Sequence, residues 1–168
     1  LVYSRQKEFG QARKAFDRAA AIEPSNLQFR LMAAGVAEQA GDLAAAEKGY
    51  AAIANSAPSN VQARLAYASI LDRQKRYKEA LQQYEKAASL DARNFAAWFN
   101  VGRLKFASND FSGAETAFTR ARALDSENGL AATNLALAKL YLGKLGESET
   151  LYRKALALDP TNASVYEG

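Results

Sequence analysis

Side chains able to do covalent or proton-transfer chemistry are scarce in this chain, whose 168 residues include no His and no Cys. That excludes thiolate nucleophiles, imidazole bases, disulfides and Cys/His zinc sites together. Carboxylates such as Glu147 and Glu149 fall at an expected helix start, where acids suit the dipole, with no convergent partner in view. An enzyme is not expected, and neither is a cofactor or a metal. The densest basic run, RQKRYK at 73–78, has the composition of a nucleic-acid or acidic-lipid contact. It spans a helix end, a turn and the next helix start, where the macrodipole favours cations, so it reads as a solvated turn. NAS at 162–164 matches a glycosylation acceptor but falls in a capping slot, and LGKLGES at 142–148 lacks the Lys-Ser/Thr ending of a phosphate loop.

The regular polar feature is structural. FDRAAAIEPSN at 16–26 returns as YAAIANSAPSN at 50–60, YEKAASLDARN at 84–94, FTRARALDSEN at 118–128 and YRKALALDPTN at 152–162. The opening aromatics Phe16, Tyr50, Tyr84, Phe118 and Tyr152 are spaced by 34 residues, as are Asn26, Asn60, Asn94, Asn128 and Asn162. Pro24, Pro58 and Pro160 share the slot two residues before the Asn. Within each period, apolar residues recur at three and four, as Val61, Leu65, Ala68, Leu71 and again as Tyr77, Ala80, Leu81, Tyr84 do. This predicts two helices per period, joined by a short turn such as AGDL at 40–43 or LGKL at 142–145, where Gly suits a left-handed helix end. Pro stops the second helix, and Asn caps the next one by accepting an unpaired N–H. Small residues recur at 34, 68, 102 and 136 and at 12, 46, 80 and 114, which lets helix axes approach closely.

The hydrophobic fraction of 49% and charged fraction of 24% are those of a globular chain, and the net charge of +4 forms no stripe. No nucleic-acid partner and no membrane insertion are expected, since no apolar run approaches the roughly 18 residues of a membrane span. The opening LVYSRQKEFG lacks the layout of a signal peptide and an initiator Met, so a piece of a longer chain is expected. Compartment stays open between cytoplasm and bacterial periplasm.

With this period the chain resembles the tetratricopeptide repeat family, whose first helix carries Trp, Leu-Gly and Tyr and whose second carries Ala, an aromatic and Pro. The copy at 95–128 matches with Trp98, Val101-Gly102, Phe111, Ala114, Phe118 and Ala121, and departs with Lys105 in the Tyr slot and Ser126 in the Pro slot. The resemblance covers the chain as a partial repeat (1–26, the tail of a first helix and a whole second helix), complete repeats at 27–60, 61–94, 95–128 and 129–162, and the start of another at 163–168. It implies an all-α, right-handed solenoid of antiparallel helix pairs, whose first helices line a concave groove. The expected function is a non-catalytic protein-interaction module, an adaptor or scaffold of bacterial style that takes a peptide or helix of a partner protein. The competing expectation is a scaffold that self-associates through uncapped repeat ends or its outer surface.

By family register, the groove face includes Leu31 and Met32, Leu65 and Arg73, Phe99, Asn100, Arg103 and Phe106, and Thr133, Asn134, Leu137, Leu140 and Tyr141. Asn100 and Asn134 each stand sixth in a first helix, where related arrays use the amide, both donor and acceptor, to hold a peptide backbone. Phe99, Arg103 and Phe106 are the expected selectivity residues around them, and Leu65, Arg73 and Tyr141 complete the expected partner-binding groove. The family's carboxylate clamp is not expected, because its slots hold Leu65, Ser69, Asn100, Leu130 and Asn134, with one match.

Overall fold

The computed structural model describes residues 2–158, with side chains from residue 7 onward, and all of its regular structure there is helical. Two compact units divide at residue 90. The first holds α1 (Val2–Ile22), α2 (Leu27–Gln39), α3 (Leu43–Ser56), α4 (Val61–Arg73) and α5 (Tyr77–Leu90). The second holds α6 (Phe95–Ala107), α7 (Phe111–Leu124), α8 (Gly129–Tyr141) and α9 (Leu145–Leu158).

Helix starts follow the capping phrase. Asn60, Asn94 and Asn128 each accept from the backbone N–H three residues on, at 2.9 to 3.0 Å, while Asn26 accepts from that of Gln28 at 3.2 Å. These bonds take up donors that the helix cannot satisfy internally. Pro24 and Pro58 lie just beyond the ends of α1 and α3. Pro160 and Asn162 lie outside the described residues.

The turn within each hairpin has one geometry. The N–H of residues 42, 76, 110 and 144 reaches back to the carbonyls of Ala37, Leu71, Lys105 and Lys139, all at 2.9 Å. That six-residue closure needs a left-handed residue before it. Gly41 (φ 81°) and Gly143 (φ 75°) supply it as expected, and the other two turns use Lys75 (φ 63°) and Asn109 (φ 64°).

One expectation is corrected. In place of the expected tail of one helix followed by a second within residues 1–26, Val2–Ile22 is one unbroken helix. The three positions that would form the turn are Gln6, Lys7 and Glu8, all good helix formers, with no Gly, Asn or Asp to end the first segment.

Each unit is held by small residues packed under aromatics. In the first unit Ala34, Ala37 and Ala46 pack with Leu31, Tyr50, Ile53 and Ile70. In the second, Ala114, Phe118, Leu135 and Ala138 form one core cluster. Gly102 is required there, since a Cβ at that position would stand 2.6 Å from the Phe118 ring.

Successive hairpins are also tied by charge. Arg13 on α1 pairs with Asp42 (3.3 Å), Glu47 on α3 with Arg76 (2.6 Å), and Glu115 on α7 with Lys144 (2.7 Å). In each pair a residue of one second helix meets the residue that opens the following second helix, with the sign reversed in the first pair relative to the other two. Glu115 also accepts from Lys139 at 2.7 Å, and Lys139 reaches Glu147 at 2.6 Å. Hydrogen bonds from Lys139 first, then Lys144, hold the Glu115 carboxyl below the ordinary carboxylate range. Glu47 is lowered likewise, chiefly by the hydrogen bond from Gln74 and also by Arg76.

Candidate functional site

The first helices of the second unit, α6 and α8, lie side by side. Each carries an asparagine at its sixth position, and both side chains adopt the same arrangement. The Asn100 amide donates to the Ala96 carbonyl at 2.8 Å, and the Asn134 amide donates to the Leu130 carbonyl at 2.8 Å. One N–H of each amide is thereby fixed to its own helix one turn back, which sets the rotamer and leaves the rest of the amide at a partly exposed surface. The Asn100 side-chain oxygen also accepts from Arg103 Nε at 3.3 Å.

The aromatic residues divide between core and surface. Phe99 stacks on Phe95 (5.6 Å between ring centroids) and meets Phe118 edge-on (5.7 Å), so its ring reaches across to the α7 side. Phe106 stands edge-on to Phe111 (5.2 Å) and to Tyr141 (5.3 Å), while Phe111 and Tyr141 stack at 4.6 Å. Three helices thus contribute one ring each to a cluster whose outermost member, Tyr141, is 61% exposed. Phe111 is a member that the sequence reading did not place there. Its signal was its place in the repeat match and at the start of α7, just after a tight turn. Leu130 and Leu140 are exposed on α8.

In the first unit, Leu65 is half-buried on α4, and Arg73 at the end of that helix pairs with Glu38 on α2 at 3.0 Å. Glu38 also accepts from the Tyr50 hydroxyl at 3.2 Å. Burial, then the Glu38 charge and that hydrogen bond, push the Tyr50 phenol up to about 12. Met32 is exposed on α2. Two residues that the register put on the free face do not lie there: Leu31 and Thr133 are buried. Leu31 joins the α2–α3 core because the face of α2 that meets Tyr50 and Ile53 is wider than the register allows.

Two of the four cations in the basic run at 73–78, its arginines, are engaged in ion pairs. Arg73 reaches Glu38, and Arg76 reaches Glu47 and Glu79. Glu147 pairs with Lys139, and Glu149 with Arg153. No described helix is long and apolar enough to cross a membrane.

Antiparallel helix pairs repeating every 34 residues, with capped starts and a polar, partly exposed first-helix face, define a helical-repeat protein. Family models described as tetratricopeptide repeat match residues 50–97 and 99–163, and another of the same description matches 4–70. The chain belongs to the tetratricopeptide repeat family, and it is a protein-interaction repeat module with the all-α solenoid fold of that family. No curated protein sequence matches it. Among solved structures, a crystal structure of MamA is similar at 16% identity, covering 94% of this chain and 92% of that one with a TM-score of 0.81. MamA AMB-1 is similar at 18% identity, with coverage of 99% and 94% and a TM-score of 0.80. YrrB, described as a TPR protein with an unusual peptide-binding site, is similar at 17% identity, with coverage of 92% and 80% and a TM-score of 0.78. At these identities the likeness is one of fold.

Proposed function

We propose that this module is non-catalytic and that the first-helix face of its second unit receives a peptide or helix of a partner protein. Asn100 and Asn134 then hold the partner's backbone, and Arg103 and Tyr141 select its side chains. The observation that carries this reading is the matched arrangement of the two amides, each tied to its own helix by a 2.8 Å bond. A side chain already held in one rotamer loses little further freedom on binding, so its remaining donor and acceptor are preorganised for a ligand. The description of YrrB as a peptide-binding repeat protein supports the same class of ligand. Leu65 and Arg73 would serve on the corresponding face of the first unit.

The test begins with peptides selected from a random display library on the immobilised chain. Their affinity is then measured against an Asn100→Ala, Asn134→Ala double variant. Two lost amide contacts at about 1 kcal/mol each predict a loss of roughly 30-fold with an unchanged melting curve. Full affinity in the double variant would retire the assignment. Concentration-dependent assembly in light scattering, with no peptide selected, would favour the scaffold reading instead.

A further inference from the structure

A second surface lies on the first unit, where α1 and α3 flank α2. They leave a cleft of about 340 Å³ there, within the lower part of the range of ligand pockets. Its floor includes Ala33 and Ala37 of α2 and Ala45 and Gly49 of α3. Its rim carries Arg13 and Asp17 of α1, Arg30 of α2 and Lys48 of α3.

The repeat itself explains the hollow. One period on, the same four floor positions hold Tyr67, Leu71, Glu79 and Gln83, and three periods on they hold Leu135, Lys139, Glu147 and Leu151. At those junctions the space is used. Leu71 is fully buried, Gln83 accepts from Arg64 at 3.0 Å, and Lys139 bridges Glu115 and Glu147. Only at the α1–α2–α3 junction is each of the four positions reduced to Ala or Gly. Closing α3 onto α2 cannot remove the space, because those helices already touch: a Cβ on Gly49 would stand 2.7 Å from that of Ala34.

The rim gives the cleft a sign. Arg13 shares its charge with Asp17 (3.8 Å) and Asp42 (3.3 Å). Arg30 and Lys48 make no ion pair among the described residues. The equivalent of Arg30 one period on, Arg64, is engaged by the Pro58 carbonyl and Gln83. An apolar floor of alanines beneath two unshared cations is complementary to a bulky apolar side chain beside carboxylates.

We propose that this cleft docks an acidic segment of a partner protein, one Leu- or Phe-sized side chain entering the hollow while its flanking carboxylates meet Arg30 and Lys48. The site shares no residue with the asparagine-bearing face, so the module has two separate docking surfaces.

Fluorescence anisotropy on the full chain tests this with three labelled peptides. One has a central Phe among glutamates, the second replaces that Phe with Ala, and the third replaces the glutamates with lysines. The acidic Phe peptide is expected to bind at least about tenfold more tightly than either control. Its affinity is expected to fall as salt rises from about 50 mM to about 500 mM. Ala33→Leu should remove binding by filling the hollow. An Arg30→Gln, Lys48→Gln variant, altered only at the rim, should weaken it about tenfold or more with an unchanged circular dichroism spectrum. The Asn100→Ala, Asn134→Ala variant should bind as the parent does, which separates this site from the one proposed above. Equal or absent binding of the three peptides overturns the proposal, as does binding that survives the rim variant or is lost with the two asparagines.

Discussion

Replacing Gly102 by Ala is expected to destabilise the second unit, although alanine is the better helix former. The added Cβ would lie 2.6, 2.7 and 2.9 Å from three carbons of the Phe118 ring, against the ~3.5–4.0 Å of an unstrained carbon contact. Phe118 is fully buried and meets Phe99 edge-on at 5.7 Å, so its ring has little room to withdraw. Overpacking of this kind costs about 1–3 kcal/mol, while the gain in helix propensity is about 1 kcal/mol. A net loss of up to roughly 2 kcal/mol is expected, read as a lower urea midpoint by circular dichroism. Gly10 is the control. It lies on an exposed stretch of α1 with nothing within 4 Å of its would-be Cβ. Gly10→Ala should therefore raise the midpoint, by about 1 kcal/mol of propensity with no opposing clash. Adding Phe118→Leu to Gly102→Ala should recover part of the loss beyond additivity, because the smaller side chain vacates the contested volume. If Gly102→Ala unfolds at or above the parent midpoint, as Gly10→Ala should, the close approach of α6 and α7 at that ring is refuted.

The turns and the charge pairs give further expected outcomes. Lys75→Gly should stabilise by about 0.5–1 kcal/mol in the same urea assay, since Lys75 holds a left-handed φ of 63° that costs a side chain about 1 kcal/mol. Asn109→Gly should gain less, because Asn tolerates that region, and a loss of stability in both would contradict the turn geometry. For Glu115, the folded carboxyl is held below its ordinary value by Lys139 and Lys144. Its contribution is therefore complete above the unfolded value of about 4.3 and is lost as pH falls through the lower folded one. The urea midpoint should drop on acidification below about pH 4, less steeply in Glu115→Gln. Lys139, raised by Glu115 and then Glu147, should keep its contribution until the pH passes the ordinary lysine value of about 10.4. An acid limb of equal slope in Glu115→Gln would remove Glu115 from that role.

The sequence alone determined the helix pairs, their period and their starts. An N-cap is a local device: Asn60, Asn94 and Asn128 each bond a backbone N–H three residues away, so spacing along the chain suffices to see it. The apolar spacing that marks a buried helix face is local for the same reason. The Gly-bearing turns were legible with their left-handed residue, and the run at 73–78 was legible as a turn; the positive φ of Lys75 and Asn109 was not, because neither residue type demands it and the closure of the hairpin imposes it. Likewise the 1–26 segment contained the register of a turn without residues to make one, and a continuous helix resulted.

Tertiary structure decided what happens between hairpins. The pairs Arg13–Asp42, Glu47–Arg76 and Glu115–Lys144 each span 29 residues, an interval with no meaning along a single helix. It becomes a contact only when one hairpin packs beside the next. The ring cluster of Phe106, Phe111 and Tyr141 and the burial of Leu31 and Thr133 arose in the same way, from the facing of helices in space. The cleft lined by Ala33 and Gly49 shows the division most directly: its small residues were readable one by one, but a void exists only where three helices fail to fill the volume they enclose.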